Sequence, residues 1–226
     1  MKLSNKILLG FFGFAFVYLT AAFTELRLTG TPNVINESNS KAETVDLRGI
    51  QYIVVEDVGR HVNITGADRL QLELRSLTGD ALQHLEYRVE GDTLTLLRFE
   101  SEDKQTVRIS VRVPKESIKG IRVNSTTVIV SGLQQEDLMI SQDKGRVWMS
   151  ESQVSSLDMN LANHSYLQLE STDIDSLSAN IDQSQAYVDS PLGLVRATVI
   201  NESVLRLNSV RALQLTRDEN SNVNLY

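Results

Sequence analysis

Apolar residues in the C-terminal half of the chain recur with a regular period. Groups in which every second residue is apolar start 17, 19, 20, 18 and 18 residues apart, and a polar segment and a shorter apolar pair follow each group. The groups start at Ile121, Leu138, Leu157, Leu177, Val195 and Leu213. The pairs are Val128/Val130, Val147/Met149, Leu167/Leu169, Ala186/Val188, Leu205/Leu207 and Val223/Leu225.

This period predicts a parallel β-solenoid in which each unit of the repeat is one coil. A single coil cannot bury its own inward side chains, whereas coils stacked at ~4.8 Å place equivalent side chains above one another. Asn163-His164-Ser165 and Asn201-Glu202-Ser203 are then coil corners, because Asn and Ser tolerate the left-handed backbone of a sharp turn. Single apolar residues are expected at the other corners: Leu133, Val154, Ile174, Leu192 and Val210.

Residues 44–115 show the period-two alternation of β-strands without a sustained helical period. Glu90-Gly91-Asp92 lies between two alternating runs and predicts a hairpin turn. Pro114 is expected to end the last strand of this part, because proline cannot donate to a ladder. The segment 76–85 is the only part that suggests a helical turn.

Three runs carry a resemblance to a known family: "IQYIVVEDVGRHVNITGADRLQLEL", "LEYRVEGDTLTLL" and "VRISVRVPKESIKGIRVNSTTVIVSG". In this order of strand, hairpin, strand ending in Val-Pro and coils, residues 44–226 resemble the head-domain family of putative auto-transporter adhesins found in Bacteroidetes. The chain departs from that family in using Asn, Ser, Asp and Gln at turns where Gly is common. The resemblance implies a right-handed β-solenoid in the cell envelope, and it implies little about mechanism.

The N-terminal segment 7–23 is an uncharged apolar run of 17 residues, preceded by Lys2 and Lys6. A spanning helix needs ~17–25 residues, whereas the apolar core of a cleaved signal peptide has ~7–15. Ala21 and Ala22 are adjacent and do not form a small-x-small cleavage site. The run therefore favours an uncleaved signal anchor that forms a transmembrane helix, with a cleaved signal as the alternative.

These patterns divide the chain into an anchor at 1–27, a flexible polar tether at 28–43 and an all-β head domain at 44–226. The head has a strand-rich first part at 44–115 and regular coils at 116–226. The positive-inside rule keeps the lysine-bearing end in the cytoplasm. We therefore expect a single-pass inner-membrane protein with its head in the periplasm, or a secreted or surface protein if the signal is cleaved.

Charge and cysteine content exclude several functions. The net charge is -7, and an acidic surface repels phosphate backbones, so nucleic acid is not expected as a partner. The chain contains no Cys, which excludes disulfides, thiolate metal sites and a cysteine nucleophile. The head must therefore be held together by packing and hydrogen bonds alone.

Side chains that carry out chemistry are present but scattered. His61, His84 and His164 lack a second ligand at metal-like spacing, so neither a metal site nor a cofactor is expected. Acids in three successive coils are the one candidate for a catalytic or calcium site, because β-solenoids host polysaccharide lyases and hydrolases. These acids are Glu170, Asp173, Asp175, Asp182 and Asp189. A solvated outer face is the simpler interpretation of their alternation, and no catalytic residue is assigned.

Aromatic residues supply the best candidate for a binding surface. Trp148 alternates with the apolar pair Val147 and Met149, so it points away from the core, and Tyr166 and Tyr187 occupy similar places in the next two coils. We therefore predict an outward column of Trp148, Tyr166 and Tyr187, which would present a flat amphipathic strip to a glycan or an envelope protein.

The sequence as a whole predicts a non-catalytic, membrane-anchored envelope protein whose solenoid is an adhesin-like binding or scaffolding surface. A polysaccharide-active enzyme and an accessory subunit of an envelope complex are the alternatives. The enzyme predicts converging acids and a groove on one face, whereas the scaffold predicts scattered charge. The last coil, which ends in "VNLY", leaves an open strand edge, so either a homodimer through this end or docking by another envelope protein is also expected.

Overall fold

The computed structural model describes residues 3–29, 38–100 and 106–226, and the chain forms two compact units, Met1–Val34 and Ile35–Tyr226. The first unit contains one helix, α1 (Leu3–Thr29), whose large apolar side chains between Phe11 and Phe23 are exposed. The helix confirms the type of element predicted there. No helix in the described part of the chain combines the length and apolarity needed to cross a membrane, so the predicted membrane crossing is not confirmed.

The second unit is all-β apart from one short 3-10 helix, Leu82–His84. Its strands all belong to one sheet that bends repeatedly around a common core. The strands are β1 (Lys41–Asp46), β2 (Tyr52–Val55), β3 (Val62–Ala67), β4 (Gln71–Ser76), β5 (Leu85–Glu90), β6 (Thr93–Phe99), β7 (Arg108–Pro114), β8 (Gly120–Asn124), β9 (Thr127–Ser131), β10 (Gln134–Asp143), β11 (Arg146–Ala162), β12 (Tyr166–Asp182), β13 (Gln185–Ile200), β14 (Val204–Arg217) and β15 (Asn222–Leu225).

Parallel pairing stacks these strands into a β-solenoid of about six turns with three faces. Face A consists of β6, β2, β8 and the C-terminal parts of β10 to β14. Face B consists of β7, β3, β9, the N-terminal parts of β11 to β14, and β15. Face C is short and consists of the start of β10 and the middle parts of β11 to β14. The predicted β-solenoid is confirmed.

The first rungs of the solenoid do not follow the order of the chain. The rung made by β2 and β3 lies between the rung of β6 and β7 on one side and the rung of β8 and β9 on the other. Antiparallel strands cover the outer side of the β6–β7 rung: β5 pairs with β6, β4 pairs with β7, and β1 pairs with β4. One end of the solenoid is therefore covered by β4 and β5, which run against the coil direction, and by β1 at the outer edge of β4.

Alternation along every strand sends apolar side chains into a continuous core. On face A, Leu157 lies beside Leu177 and then Val195, and on face B, Val147 lies beside Leu167. These side chains are almost fully buried. The predicted pairs on face B are confirmed in register from Val128/Val130 to Val223/Leu225.

Two details of the predicted repeat are wrong. Ile121 lies beside Ile140, so the step between these two coils is 19 residues and not the 17 counted from Leu138. In the corner column, Val154 lies beside Ile174 on one side and Gln135 on the other. Leu133, which was predicted for this column, lies two residues before Gln135 and is not part of it. In both places a polar or small residue interrupts the apolar pattern, so counting apolar residues alone shifts the register.

The corners use residues in the left-handed backbone region, as predicted. Asn163, His164, Asn201 and Glu202 have φ between 56° and 67° at the corner from face A to the next face B. Glu151 and Ser171 have φ of 51° and 46° at the corner from face B to face C, a role that the sequence did not reveal. Each such non-glycine residue costs about 1–2 kcal/mol, which the surrounding ladder must offset.

A column of buried serines stabilises the corner between face A and face B. The backbone N–H of Ser165 donates to Ser184 Oγ (3.1 Å), that of Ser184 to Ser203 Oγ (3.1 Å) and that of Ser203 to Ser221 Oγ (3.2 Å). The hydroxyl of Ser184 donates in turn to the carbonyl of Asp182 at 2.7 Å. The last Ser of each polar segment is therefore a structural residue that satisfies a backbone group of the preceding coil.

The remaining predictions for the first part are confirmed. The hairpin of β5 and β6 turns at Glu90-Gly91-Asp92, with Gly91 at a φ of 60°. The helical turn falls inside the segment 76–85, and β7 ends at Pro114. Of the tether predicted at 28–43, residues 30–37 lie outside the described residues; α1 extends to Thr29, and β1 begins at Lys41, three residues before the predicted start of the head.

Candidate functional site

The predicted aromatic residues all lie on the outer surface of face B, but they do not form one column. Trp148 lies beside Gln168, which lies beside Tyr187, so Trp148 and Tyr187 share a column with one coil between them. Tyr166 lies beside Arg146, in the adjacent column. The prediction of a single column is wrong, because Tyr166 directly follows its corner serine Ser165, whereas Tyr187 lies three residues after Ser184.

The two tyrosines nevertheless meet. The ring centroids of Tyr166 and Tyr187 are 5.3 Å apart at an angle of 35°, within the range of favourable aromatic pairs. Arg206, on the next rung beside Tyr187, places its guanidinium carbon 5.0 Å from the centroid of the Tyr187 ring. This geometry is a cation–π contact. The sequence analysis missed Arg206, although its position in the repeat places it one coil after Tyr187.

Hydrogen bonds fix both phenol groups against the sheet. The Tyr166 hydroxyl donates to Gln168 Oε1 at 2.7 Å, and the Tyr187 hydroxyl donates to Gln185 Oε1 at 3.1 Å. Burial is the main cause that raises the pKa of the Tyr166 phenol, and the neighbouring Tyr187 and Glu170 raise it further. The Tyr166 phenol therefore stays protonated and remains a donor to the glutamine.

An apolar part adjoins the tyrosines. Ile129 lies beside Trp148 in the same column, and these side chains are 37% and 36% exposed. We call the surface of Ile129, Trp148, Tyr166, Tyr187 and Arg206 the aromatic strip. It is flat because it lies on a parallel sheet, and its residues offer apolar stacking at one end and a cation at the other. Such a strip suits contact with a broad surface or a sugar ring.

The acids proposed for catalysis are distributed over different faces. Asp173 and Asp175 are exposed on face C, Asp182 ends the face A part of β12, and Glu170 follows the face B part of the same strand. Asp189 accepts a hydrogen bond from Asn208 Nδ2 at 3.2 Å. This arrangement matches the scattered charge predicted for a scaffold.

Face C does contain an open depression of about 590 Å³ lined by Glu116, Glu136, Asp173 and Asp175. A glycosidase needs an acid with a raised pKa opposite a second carboxylate, and a calcium site needs several oxygen ligands on one ion. Within the described ranges, no three His, Asp or Glu side chains are grouped closely enough to hold a metal ion. The depression thus gathers four acidic side chains on the open surface of face C, and no catalytic residue is assigned among them.

The histidines are as scattered in space as they are in sequence. His164 is exposed at a corner, as predicted, and His84 packs edge-on against Phe99 with ring centroids 6.3 Å apart. His61 lines a separate open depression together with Arg60 and Ser125. The structure thus places the three imidazoles in three different environments.

The C-terminal rung leaves strand edges uncovered within the described structure. β15 pairs only with β14, and Leu225 and Tyr226 are 56% and 67% exposed. Leu213, Leu215 and Val223 are only partly buried at this end of the core. The homodimer expected through this surface stays a prediction.

No protein-family model matches the chain, and no curated protein sequence matches it significantly. Solved structures with a similar fold include a "putative adhesin" from Bacteroides fragilis, with a TM-score of 0.60 and 12% identity over 83% of this chain and 97% of that one. A "putative adhesin" from Parabacteroides merdae has a TM-score of 0.54 and 10% identity over 85% and 98%. A "putative lipid binding protein" from Parabacteroides distasonis has a TM-score of 0.54 and 12% identity over 85% and 99%.

These similarities confirm the resemblance stated from the sequence. The chain has the fold of proteins from Bacteroides and Parabacteroides that are described as putative adhesins, and the similarity extends over nearly the whole length of those proteins. At 10% to 12% identity the likeness shows the fold alone. Roles for individual side chains must therefore come from the geometry of this chain.

Proposed function

We propose that this protein is a non-catalytic, adhesin-like component of the cell envelope that uses the aromatic strip as its contact surface. The observation that carries the proposal is the packing of the half-buried Tyr166 and Tyr187 and the exposed Arg206 into one cluster on the outer surface of a sheet. Aromatic and arginine side chains dominate protein contact surfaces because they bury a large area with little loss of side-chain freedom. The descriptions of the structural neighbours as putative adhesins support the same role.

An envelope location is also part of this proposal. The exposed apolar side chains of α1, among them Phe11, Phe14 and Phe23, surround the helix, and in the sequence Lys2 and Lys6 precede this apolar run. A helix that is apolar all round requires a protein core or lipid around it. We propose that α1 anchors the protein in the inner membrane with the solenoid in the periplasm. We also propose that the solenoid winds in the right-handed sense, as the resemblance implies.

Cell fractionation combined with protease accessibility tests the location. The full chain should remain with membranes after a high-salt wash and become sensitive to protease only when the outer membrane is permeabilised. A variant without residues 1–29 should leave the membrane fraction. A full chain that stays in the cytoplasmic fraction, or one that is digested on intact cells, would contradict the proposed inner-membrane location.

Adhesion of beads tests the aromatic strip. Beads coated with the full chain should bind isolated bacterial envelopes, and the double variant Trp148→Ala/Tyr187→Ala should bind at most about one tenth as well, since each hot-spot side chain contributes more than about 1 kcal/mol. Met139→Ala is the matched control, because Met139 is a large apolar residue on face A that is 42% exposed. Equal binding by the double variant would refute the role of the strip.

The same experiment distinguishes the two classes of partner. Periodate oxidation of the envelopes destroys sugar rings, whereas protease treatment removes exposed proteins. Loss of binding after periodate alone identifies a glycan, and loss after protease alone identifies an envelope protein. The second outcome would also fit an accessory subunit of an envelope complex.

A further inference from the structure

Face A carries a groove that runs along the solenoid axis and is separate from the aromatic strip. Its volume is about 620 Å³, and one outward column of side chains from six successive rungs forms its length. At a rung spacing of ~4.8 Å, the five steps between six rungs span about 24 Å. We call it the axial groove, and its column is Val54, Arg122, Ser141, Asn160, Asn180 and Thr198.

The middle of the axial groove is lined by hydrogen-bonding groups at one per rung. Asn180 Nδ2 donates to Asn160 Oδ1 at 2.9 Å, which fixes both amides. The Nδ2 atom of Asn160, the Oδ1 atom of Asn180 and the hydroxyls of Ser141 and Thr198 have no partner among the described residues. Donors and acceptors therefore remain available to a ligand at intervals of one rung.

The second wall of the groove is fixed and acidic. The Oδ1 atom of Asp143 accepts from Asn163 Nδ2 at 2.9 Å, and that of Asp182 accepts from Asn201 Nδ2 at 2.7 Å. Ala162 lies between these two acids, and its small side chain makes this wall of the groove lower at its centre. The groove is thus built on hydrogen-bonded strands and held corners, so little side-chain ordering is needed when a ligand binds.

The repeat of these groups selects the class of ligand. The rung spacing of ~4.8 Å is close to the length of one pyranose unit in an extended glycan. Successive rings of an extended β-1,4-linked glycan alternate in orientation, but two rings span about two rungs, whereas the two-residue repeat of an extended peptide, about 6.6–6.8 Å, matches neither one rung nor two and would lose register. Hydroxyls and amides on every rung match the hydroxyl-rich edge of a sugar chain.

The charge of the groove lining further restricts the class of glycan that can bind. Three carboxylates, those of Glu56, Asp143 and Asp182, line the groove, and Arg122 at one end is the only basic residue among the lining side chains of the described structure. The formal charge of the lining is therefore negative, which disfavours uronate or sulfated chains. We propose that the axial groove binds an extended glycan whose units are neutral or carry amino groups, with about one sugar on each rung.

Isothermal titration calorimetry on the full chain in mild detergent tests this site. The probes are the β-1,4-linked hexamer and dimer of N-acetylglucosamine, the de-N-acetylated hexamer and a galacturonate hexamer. We expect either glucosamine-type hexamer to bind at least about tenfold more tightly than the dimer, because additional rungs add hydrogen bonds. The galacturonate hexamer should bind more weakly than both. Failure of both glucosamine-type hexamers to bind, or tighter binding by the galacturonate, overturns the proposal.

Variants assign the binding to the groove. Asn160→Ala/Asn180→Ala should weaken binding of the hexamer by about tenfold or more. Ser141→Leu, which places an apolar side chain in the groove next to Asn160 while leaving both amides in the chain, should weaken it as well. Asn208→Ala is the matched control, since Asn208 also donates to a side chain of the neighbouring coil but lies outside the groove.

The outcomes separate this site from the aromatic strip. Trp148→Ala should leave the binding of the hexamer unchanged, because Trp148 lies on face B. Hexamer binding that is lost in Trp148→Ala and kept in Asn160→Ala/Asn180→Ala would refute the groove and support the strip. Circular dichroism and the melting temperature of each variant identify any loss of binding that comes from unfolding.

Discussion

The buried serine column predicts that removing one hydroxyl group weakens the contact between two neighbouring coils. Ser184 is 2% exposed, and its Oγ atom accepts from the backbone N–H of Ser165 at 3.1 Å, a residue that is 1% exposed. Ser184→Ala leaves that N–H buried without its partner. An unsatisfied buried donor costs about 1–3 kcal/mol, so the variant should be destabilised by this amount. For a domain of this size, each kcal/mol lowers the melting temperature by about 2–4 °C.

Urea denaturation followed by circular dichroism measures this effect. The midpoint should fall while the slope stays the same, because the surface exposed on unfolding is unchanged. Ser178→Ala is the control, since Ser178 is exposed on face A of the preceding coil, and its substitution should change the stability by less than about 0.5 kcal/mol. If Ser184→Ala is no less stable than Ser178→Ala, the hydrogen bond between Ser165 and the Ser184 hydroxyl does not stabilise the corner.

Three further predictions concern charge, pH and the open end. Glu73→Ala should destabilise the protein by about 1.5–3 kcal/mol in urea melts, because buried Glu73 accepts charge-assisted hydrogen bonds from Arg75 at 2.5 Å and Arg112 at 2.9 Å, while the half-exposed Arg112 stays solvated after the loss. Stability should fall as pH rises through the raised pKa of Tyr166, above the ordinary value of 10.0, because the folded state then holds a proton that the unfolded state has lost. Sedimentation of the full chain in detergent should show a reversible dimer that Leu225→Asp weakens.

Each of these predictions has a control and a contrary outcome. Glu86→Ala alters an exposed acid in the same part of the fold and should be nearly neutral; equal effects of the two variants would rule out a special role for Glu73. Tyr166→Phe should flatten the fall in stability at high pH, and an unchanged slope in that variant contradicts the assignment. A sedimentation coefficient that stays constant over a hundredfold range of concentration would exclude the dimer.

Local alternation was sufficient to predict the coils, the corners and most inward residues, because each coil repeats the same environment. Leu167 and Leu205, for example, follow their polar segments at the same distance and occupy the same core column. The predicted alignment of residues between coils was wrong where the distance from the polar segment varies from coil to coil. Tyr166 directly follows Ser165, whereas Tyr187 lies three residues after Ser184, so the two rings fall in neighbouring columns.

Two features could not be predicted from local patterns at all. The placement of β2 between β6 and β8 depends on pairings between residues about 40 to 70 positions apart, and alternation identifies a strand without naming its partner. The axial groove is equally hidden, because Ser141, Asn160 and Asn180 are ordinary outward polar residues in the sequence. Only the register places their side chains in one line.

The position of the rung made by β2 and β3 has a consequence for how the protein is made. This rung is completed on both sides only after β6, β7, β8 and β9 have joined it, so the beginning of the head has no finished neighbour while it emerges from a ribosome. Such distant pairings slow folding. Once the rung of β2 and β3 has both of its neighbours, each later coil can pair with the edge of a coil that is already folded. The first strands of the head therefore remain without their partners until β9 has been made, and all later coils depend on the rung that these strands form.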